Sequence, residues 1–217
     1  CILIDDGSEP QTAEVLDKLA ARTPWIRLER FPENRGRGAA LRYGYRLAAE
    51  LGFSHTLQID ADKQHDPADA IRFVDTARSD PQALILGEPI FDDSAPASRM
   101  FGRQFSRVLV WLESLAFDIR DPLCGMRCMP LEKTLDVLAQ TPLGDRMEFE
   151  PEIAVRLLWE GVPVRNVPIA VRYFPNGISN FDPWWDTLRI ARVHARLVAG
   201  MIPRAPRLLA RRYARVR

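Results

Sequence analysis

The chain has 217 residues, 47% of them hydrophobic, and a net charge of +1, so it can bury one substantial core. Its apolar runs fall short of the roughly 20 residues that cross a bilayer, which excludes a membrane-spanning segment in this sequence. Three cysteines are an odd number, and no secretory signal precedes them, so we expect an intracellular chain without stable disulfides.

The N-terminal residues 1–4 form a continuous apolar run, which is typical of a buried parallel strand. The run stops at Asp5 and Asp6, and Ser8 and Pro10 suit the cap and first turn of a following helix. The predicted buried stripe of that helix is Val15, Leu16, Leu19 and Ala20. Both acids would then lie beyond the carboxyl end of a strand, where open α/β sheets bind ligands. Alternatively, they only favour the helix N-terminus.

Further strands alternate with helical segments along the chain. The predicted strands are 25–31, 55–59, 83–86 and 164–171. The predicted helices are 39–51, 68–78, 99–115 and 151–160, with Gly52 and Gly161 ending the first and the last. This order predicts an α/β fold with a largely parallel sheet.

The stretch 57–67 reads Leu-Gln-Ile-Asp-Ala-Asp-Lys-Gln-His-Asp-Pro, so an apolar strand ends in Asp60 and Asp62. Two carboxylates one residue apart suit Mg²⁺ or Mn²⁺, which prefer carboxylate and water oxygens. A site with open positions can also hold the phosphates of a nucleotide-sugar. The same spacing occurs by chance in solvated turns, so the surroundings decide between these interpretations.

Four segments occur in an order that resembles glycosyltransferase family 2. They are 4–8 (Ile-Asp-Asp-Gly-Ser), 34–40 (Asn-Arg-Gly-Arg-Gly-Ala-Ala), 60–67, and 121–127 (Asp-Pro-Leu-Cys-Gly-Met-Arg). The resemblance is greatest to dolichyl- and polyprenyl-phosphate sugar synthases, and the C-terminal segment is similar to that of bacterial lipid-pathway glycosyltransferases. It implies a GT-A (Rossmann-like) fold, with a catalytic domain at 1–183 and a basic amphipathic tail at 184–217. Family members begin with a further nucleotide-contacting strand, which we expect to be missing here.

The resemblance also implies roles for individual residues. The metal site, for Mg²⁺ or Mn²⁺, would use Asp60, Asp62 and Gln64. The nucleotide-sugar contacts would be Ile4, Asp6, Arg35, Asp60, Ala61 and Arg103, with Arg37 and Arg99 as further basic candidates. Arg172 would contact phosphate, since arginine suits bidentate phosphate binding.

Asp121 is a candidate general base, which a hydroxyl acceptor needs and a lipid phosphate does not. Its alternative role is to form the turn before Pro122. Weaker acceptor-side candidates are Glu148, Glu150 and Glu152. The chain departs from mannosyl-phosphate synthases at Gly87-Glu88-Pro89, Phe174 and Asn180, so the donor sugar and the acceptor stay open.

From Trp184 onward there are nine arginines and one acid, Asp186, while the preceding body has 21 basic and 28 acidic residues. Ile190, Val193, Leu197 and Met201 share one helical face, and a second pattern starts after Pro203 and Pro206. A basic amphipathic helix of this kind predicts peripheral attachment to an anionic membrane surface, on its cytoplasmic face. The alternative is a helix packed on the catalytic body. We do not expect nucleic-acid binding, because the body is acidic.

The sequence thus predicts an inverting, metal-dependent glycosyltransferase. It would transfer sugar from UDP- or GDP-sugar to a lipid-linked or lipid-phosphate acceptor. Two alternatives remain at this point: a sugar-1-phosphate nucleotidyltransferase, which also uses paired aspartates, and a non-catalytic membrane scaffold that binds nucleotides.

Overall fold

The computed structural model describes residues 1–91, 97–172, 182 and 184–216, without the side chains of 97–99, 215 and 216. The strands are β1 (Ile2–Asp5), β2 (Arg27–Arg30), β3 (His55–Gln58), β4 (Leu84–Phe91), β5 (Arg127–Pro130) and β6 (Val164–Val171). The helices are α1 (Pro10–Arg22), α2 (Arg37–Glu50), α3 (Ala70–Ser79), α4 (Ala97–Ser114), α5 (Leu131–Gln140), α6 (Phe149–Trp159) and α7 (Trp185–Val216). The predicted α/β fold class is confirmed.

The strands form two sheets. Strands β1 and β2 pair in parallel, and the larger sheet has the order β3-β5-β4-β6. Within it β4 and β6 are parallel, whereas β5 runs antiparallel between β3 and β4. The sheet is therefore less parallel than the sequence predicts, because β5 is a strand that the sequence analysis missed.

Successive residues of β4 pack on opposite faces of the larger sheet, as the two-residue period of a strand requires. Leu84 and Leu86 join a core formed mainly with α5, α6 and α7, while Ile85 joins a second core with Phe73 of α3. Both faces are thus covered by helices. This arrangement leaves the ends of the strands as the accessible edge of the sheet.

Helix α1 departs from the prediction, because none of its residues is buried. Val15 and Leu19 are 63% and 44% exposed. The helix contacts the short strand β2 at the margin of the fold, so its apolar stripe finds no core to enter. Ser8 does not cap the helix; the cap residue is Glu9, and the Ser8 amide donates to Asp5 Oδ1 at 2.9 Å.

Helix α7 is continuous from Trp185 to Val216 and contains Pro203 and Pro206, so both apolar patterns of the tail lie on one helix. Val193 and Leu197 are buried in the main core, and α7 packs against α4 and α6. This packing is the alternative noted for the basic tail, and it leaves that apolar face unavailable to lipid. None of the helices in the described part of the chain is both long and apolar enough to cross a membrane.

Candidate active site

Asp60 lies just beyond β3 and is held by two neighbours. Arg37, at the start of α2, donates from Nη2 to Asp60 Oδ1 at 2.6 Å. On its other side, Asp60 faces the backbone of Gly125, where a β-carbon would overlap the carboxylate. The glycine of segment 121–127 thus makes room for the first aspartate of segment 60–67.

The same Arg37 side chain also reaches Glu150 of α6. Its Nε and Nη2 donate to the Glu150 carboxylate at 2.9 and 3.1 Å, so one guanidinium joins Glu150 to Asp60. Burial alone would lower the pKa of Arg37, but the charges of Glu150 and Asp60 raise it above its ordinary value. Arg37 therefore stays a cation inside the protein.

Glu150 is 5% exposed and has two further partners. Gln58 Nε2 donates to its Oε1 at 3.0 Å, and Arg127 Nη2 lies 3.4 Å from the same oxygen. Burial would raise the pKa of Glu150, but the charges of Arg37 and Arg127 hold it below the ordinary value. Arg127 also donates to the carbonyl oxygens of Pro122 and Cys124, so it fixes the shape of segment 121–127.

Asp62 lies in an exposed turn. Its Oδ1 accepts the Gln64 amide at 2.9 Å, and Lys63 between them has a positive φ of 64°. The Gln64 carbonyl accepts the Arg172 amide at 3.2 Å, and His65 forms a β-bridge with Val171. The end of β6 is thereby tied to the predicted metal turn. Arg172, with an exposed side chain, is brought to the same place as Asp62 and Gln64.

His65 is 8% exposed, and its Nδ1 has no hydrogen-bond partner within the described residues. Burial lowers its pKa, the charges of Asp60 and Asp62 raise it, and those of Arg103 and Arg37 lower it further. His65 is therefore a buried imidazole that feels the charges of both aspartates and both arginines.

The residues near the N-terminus form a neighbouring loop. Asp6 accepts the amides of Arg35 and Gly36 at 2.7 and 2.9 Å, one on each carboxylate oxygen. Through these two hydrogen bonds, Asp6 fixes the loop that leads into α2. The Arg35 guanidinium is exposed and lies 5.2 Å from the centroid of the Phe31 ring. The Ile4 side chain packs against α2 at Gly44, so only the backbone of Ile4 could face a ligand.

Asp121 is 7% exposed and forms an ion pair with Arg103 of α4. Arg103 Nη1 lies 2.8 and 2.7 Å from the two carboxylate oxygens, and the Leu123 amide donates to Oδ1 at 2.8 Å. Both oxygens therefore accept hydrogen bonds from within the protein. Asp121 also stabilises the turn at Pro122, because its carboxylate accepts the Leu123 amide.

The residues at the metal turn fit a divalent cation in part. Asp60 and Asp62 offer carboxylate oxygens, and Asp62 Oδ2 accepts no hydrogen bond in the described structure. The described residues contain no group of three or more His, Cys, Asp or Glu that could hold an ion. A cation would thus need additional oxygens, which the phosphates of a nucleotide could supply.

Several predicted residues play other parts. Ala61 is an exposed residue between the two aspartates. Glu148 accepts the Arg146 amide, and Glu152 pairs with Arg156 at 2.8 Å, so these two acids support local structure rather than the cluster. The Arg99 side chain, Phe174 and Asn180 lie outside the described residues. The sequence analysis missed the pairing of Glu150 with Arg37. The sequence shows only that the two residues have opposite charges, in segments 113 positions apart.

Comparison with known proteins identifies the family. Glycosyl transferase family 2 matches residues 1–135. A dolichyl-phosphate β-glucosyltransferase of Dictyostelium discoideum is 25% identical over 206 residues, which cover 90% of this chain and 61% of that protein. An undecaprenyl-phosphate mannosyltransferase of Micrococcus luteus is 27% identical, and the match covers 77% of this chain and 70% of that protein.

A similar fold occurs in a crystal structure of glucosyl-3-phosphoglycerate synthase from Mycobacterium tuberculosis, solved with Mn²⁺, UDP-glucose and phosphoglyceric acid. The TM-score is 0.62 at 17% identity, and the match covers 92% of this chain and 67% of the synthase chain. At this identity the likeness concerns the fold. With the family match over most of its length, the chain belongs to glycosyltransferase family 2 and is a glycosyltransferase with a GT-A-like fold.

Proposed function

We propose that this protein transfers a sugar from UDP- or GDP-sugar to a lipid-linked acceptor, in a metal-dependent reaction with inversion at the anomeric carbon. The observation that carries the proposal is that Arg37 holds Asp60 at 2.6 Å, next to the turn of Asp62 and Gln64 to which the Arg172 amide is bonded. Carboxylates suit the cation, and guanidinium groups suit phosphates. This combination matches a nucleotide-sugar with its metal.

Asp60, Asp62 and Gln64 would hold Mg²⁺ or Mn²⁺, and the cation would act as a Lewis acid for the departing nucleoside diphosphate. Arg172 is the further cation that this chain brings to the turn, through the bond of its amide to Gln64. Asp6 would serve the nucleotide by holding the loop at Arg35 and Gly36 in position. The Mn²⁺ and UDP-glucose in the synthase structure support this choice of cofactor and donor.

The acceptor is a lipid phosphate in this proposal. A phosphate oxygen is already anionic and attacks the anomeric carbon without a base, whereas a hydroxyl needs its proton removed. The ion pair between Asp121 and Arg103 occupies both carboxylate oxygens, which favours the acceptor that needs no base. Asp121 then positions Arg103 to receive the acceptor phosphate. The names of the two lipid-phosphate sugar transferases among the relatives support the same acceptor class.

Such an acceptor places the reaction at a membrane, and we propose peripheral binding to the anionic, cytoplasmic surface. The support is the positive charge of α7, which has Asp186 as its single acidic residue. Each basic residue near an anionic surface contributes about 1 kcal/mol to binding.

A radiolabel assay tests the function directly. Purified protein is incubated with UDP- and GDP-sugars, Mn²⁺ and a short-chain polyprenyl phosphate, and the sugar is followed into the lipid fraction. We expect a lipid-linked sugar and one nucleoside diphosphate per transfer. A parallel reaction supplies a nucleoside triphosphate and a sugar-1-phosphate instead, and release of pyrophosphate there would identify a nucleotidyltransferase. Nucleotide-sugar binding without any product would identify a scaffold.

Two variants control this assay. Asp62→Asn removes a carboxylate from the metal turn and should lower both transfer and Mn²⁺-dependent donor binding by about 100-fold or more, a typical loss for an electrostatic contact to the reacting groups. Asp75→Asn changes an aspartate that is 63% exposed and pairs with Arg78 on α3, so it should leave both unchanged. Full transfer by Asp62→Asn would rule out the proposed metal role.

A further inference from the structure

Helix α4 carries a row of exposed apolar side chains. Phe101, Phe105, Val108 and Leu112 are 75%, 58%, 56% and 49% exposed. Their spacing of four, three and four residues puts them on one side of the helix, in a stripe about 16 Å long at 1.5 Å per residue. We call these four residues the α4 stripe.

The opposite side of α4 is the side that faces the core. Val110 and Glu113 are fully buried there, and Ser106 and Ser114 are nearly so. The helix therefore has a buried face that already secures it to the protein, and the α4 stripe is additional. A row of large apolar side chains exposed to solvent indicates a binding surface rather than a packing requirement.

The charges beside the stripe have one sign. The only acid of α4 is the buried Glu113, whereas Arg103 and Arg107 are on the same helix. Arg107 is half-buried, with its Nε inside the protein, and its guanidinium lies 4.9 Å from the centroid of the Trp111 ring. Arg212 of α7 reaches the segment that follows α4. It donates to the Leu115 carbonyl and lies 4.9 Å from the centroid of the Phe117 ring, and it has no carboxylate partner among the described residues.

From this surface we infer that the α4 stripe inserts into an anionic lipid surface, with the exposed Arg212 binding a lipid phosphate near the end of α4. Aromatic and aliphatic side chains enter the interface by about 5–10 Å, and arginine side chains stay at headgroup level. A second copy of the chain is a poorer partner, because a two-fold contact would bring equal positive charges together. Anionic lipid complements both the apolar row and its charged border.

The position of the stripe fits the proposed function, on which this inference rests. Arg103 is on α4 between Phe101 and Phe105 in sequence, yet it points to Asp121 in the candidate active site. Insertion of Phe101 and Phe105 would therefore bring the lipid surface within about one helix diameter, 10–12 Å, of the residue proposed to receive the acceptor phosphate. The inference also assigns the apolar part of the membrane contact to α4, since the apolar face of α7 is buried, and leaves the positive charge of α7 in its proposed role.

Vesicle co-sedimentation tests the inference without donor or metal. The vesicles are phosphatidylcholine alone, or with about 30% phosphatidylglycerol to supply the anionic charge that attracts arginine. The double variant Phe101→Gln/Phe105→Gln should reduce partitioning onto the anionic vesicles about tenfold, since two aromatic side chains no longer insert. Arg212→Gln should reduce the preference for anionic over neutral vesicles by several-fold, since each basic residue near the surface contributes about 1 kcal/mol.

The matched control is Phe53→Gln/Ile71→Gln, which removes two side chains of similar exposure, 60% and 57%, from outside α4. It should bind vesicles like the parent. Equal binding by the parent and the α4 double variant overturns the inference, and so does a parent dimer in light scattering that the α4 variant converts to monomer. Because Mn²⁺-dependent donor binding is measured separately on the same variants, failure of the surface is distinguished from failure of the proposed function.

Discussion

Gly125 lies so close to Asp60 that a side chain at position 125 would overlap the Asp60 carboxylate. Arg37 holds the same carboxylate from the other side, at 2.6 Å. The aspartate is thus confined between a backbone and a guanidinium group. Segments 34–40, 60–67 and 121–127, which are far apart in sequence, meet at this one side chain.

Replacement of Gly125 by alanine should therefore damage the site more than the fold. The added methyl group meets the mobile end of a side chain, so we expect Asp60 to move and the free energy of unfolding to fall by less than about 1.5 kcal/mol. Donor binding in the presence of Mn²⁺ should weaken about tenfold or more, measured by calorimetry. In Gly102→Ala the β-carbon meets no atom within 4 Å, so donor binding should keep its parent value. Normal donor affinity in Gly125→Ala would contradict the confinement of Asp60.

Glu150 should contribute mainly to stability. Glu150→Gln leaves the guanidinium groups of Arg37 and Arg127 near each other without their carboxylate, and breaking a buried ion pair costs about 3–5 kcal/mol. Urea unfolding measures this loss. Glu14→Gln breaks the exposed pair with Lys18 and should change the unfolding free energy by less than about 0.5 kcal/mol. Equal stability of the two variants would show that Glu150 is no anchor for the arginines.

Steady-state kinetics can distinguish two roles of Asp121, positioning of Arg103 and general-base catalysis. If Asp121 positions Arg103, Asp121→Asn should raise KM for a polyprenyl phosphate about tenfold, the effect of one weakened charge-assisted contact, and should leave kcat within about tenfold. Arg103→Gln should show the same pattern. A fall of kcat by about 1,000-fold in Asp121→Asn, with KM unchanged, would instead identify a general base.

Much of the framework is predictable from periodicity. The strand at 164–171 and the helix at 99–115 match β6 and α4 within two residues, because both have long apolar patterns and clear ends. Strand β5 and helix α5 were missed. Arg127-Cys128-Met129-Pro130 is short, ends in proline and starts with arginine, and only the buried acceptors around Arg127 allow a charged residue in that strand.

The candidate site is predictable by position but not by partnership. The acidic segments do lie at strand ends, and Asp60 and Asp62 do follow β3. Nothing local indicates that Glu150 holds Arg37, because the two residues are 113 positions apart. The exposure of α1 and the packing of α7 were open for the same reason: an apolar stripe predicts burial, while the tertiary structure decides whether a partner is present.

The buried contact between Glu113 and His194 should make stability depend on pH. Glu113 Oε1 lies 2.6 Å from His194 Nδ1, while Glu113 Oε2 and His194 Nε2 have no partner in the described structure. Burial raises the pKa of Glu113 above its ordinary value of 4.5, against the lowering effect of His194. Glu113 in the native state thus holds its proton at pH values where the unfolded chain has lost it.

The contribution of this proton is full below about pH 4.5 and disappears as the pH rises through the native pKa of Glu113. Glu113→Gln keeps a hydrogen-bond donor toward His194 and does not titrate. The unfolding free energy of the parent minus that of Glu113→Gln should therefore decrease between pH 4.5 and pH 7.5, as measured by urea unfolding. A difference that stays constant, or that increases with pH, would mean that Glu113 is ionised in the native protein at all of these pH values. Helices α4 and α7 would then meet through a charged pair.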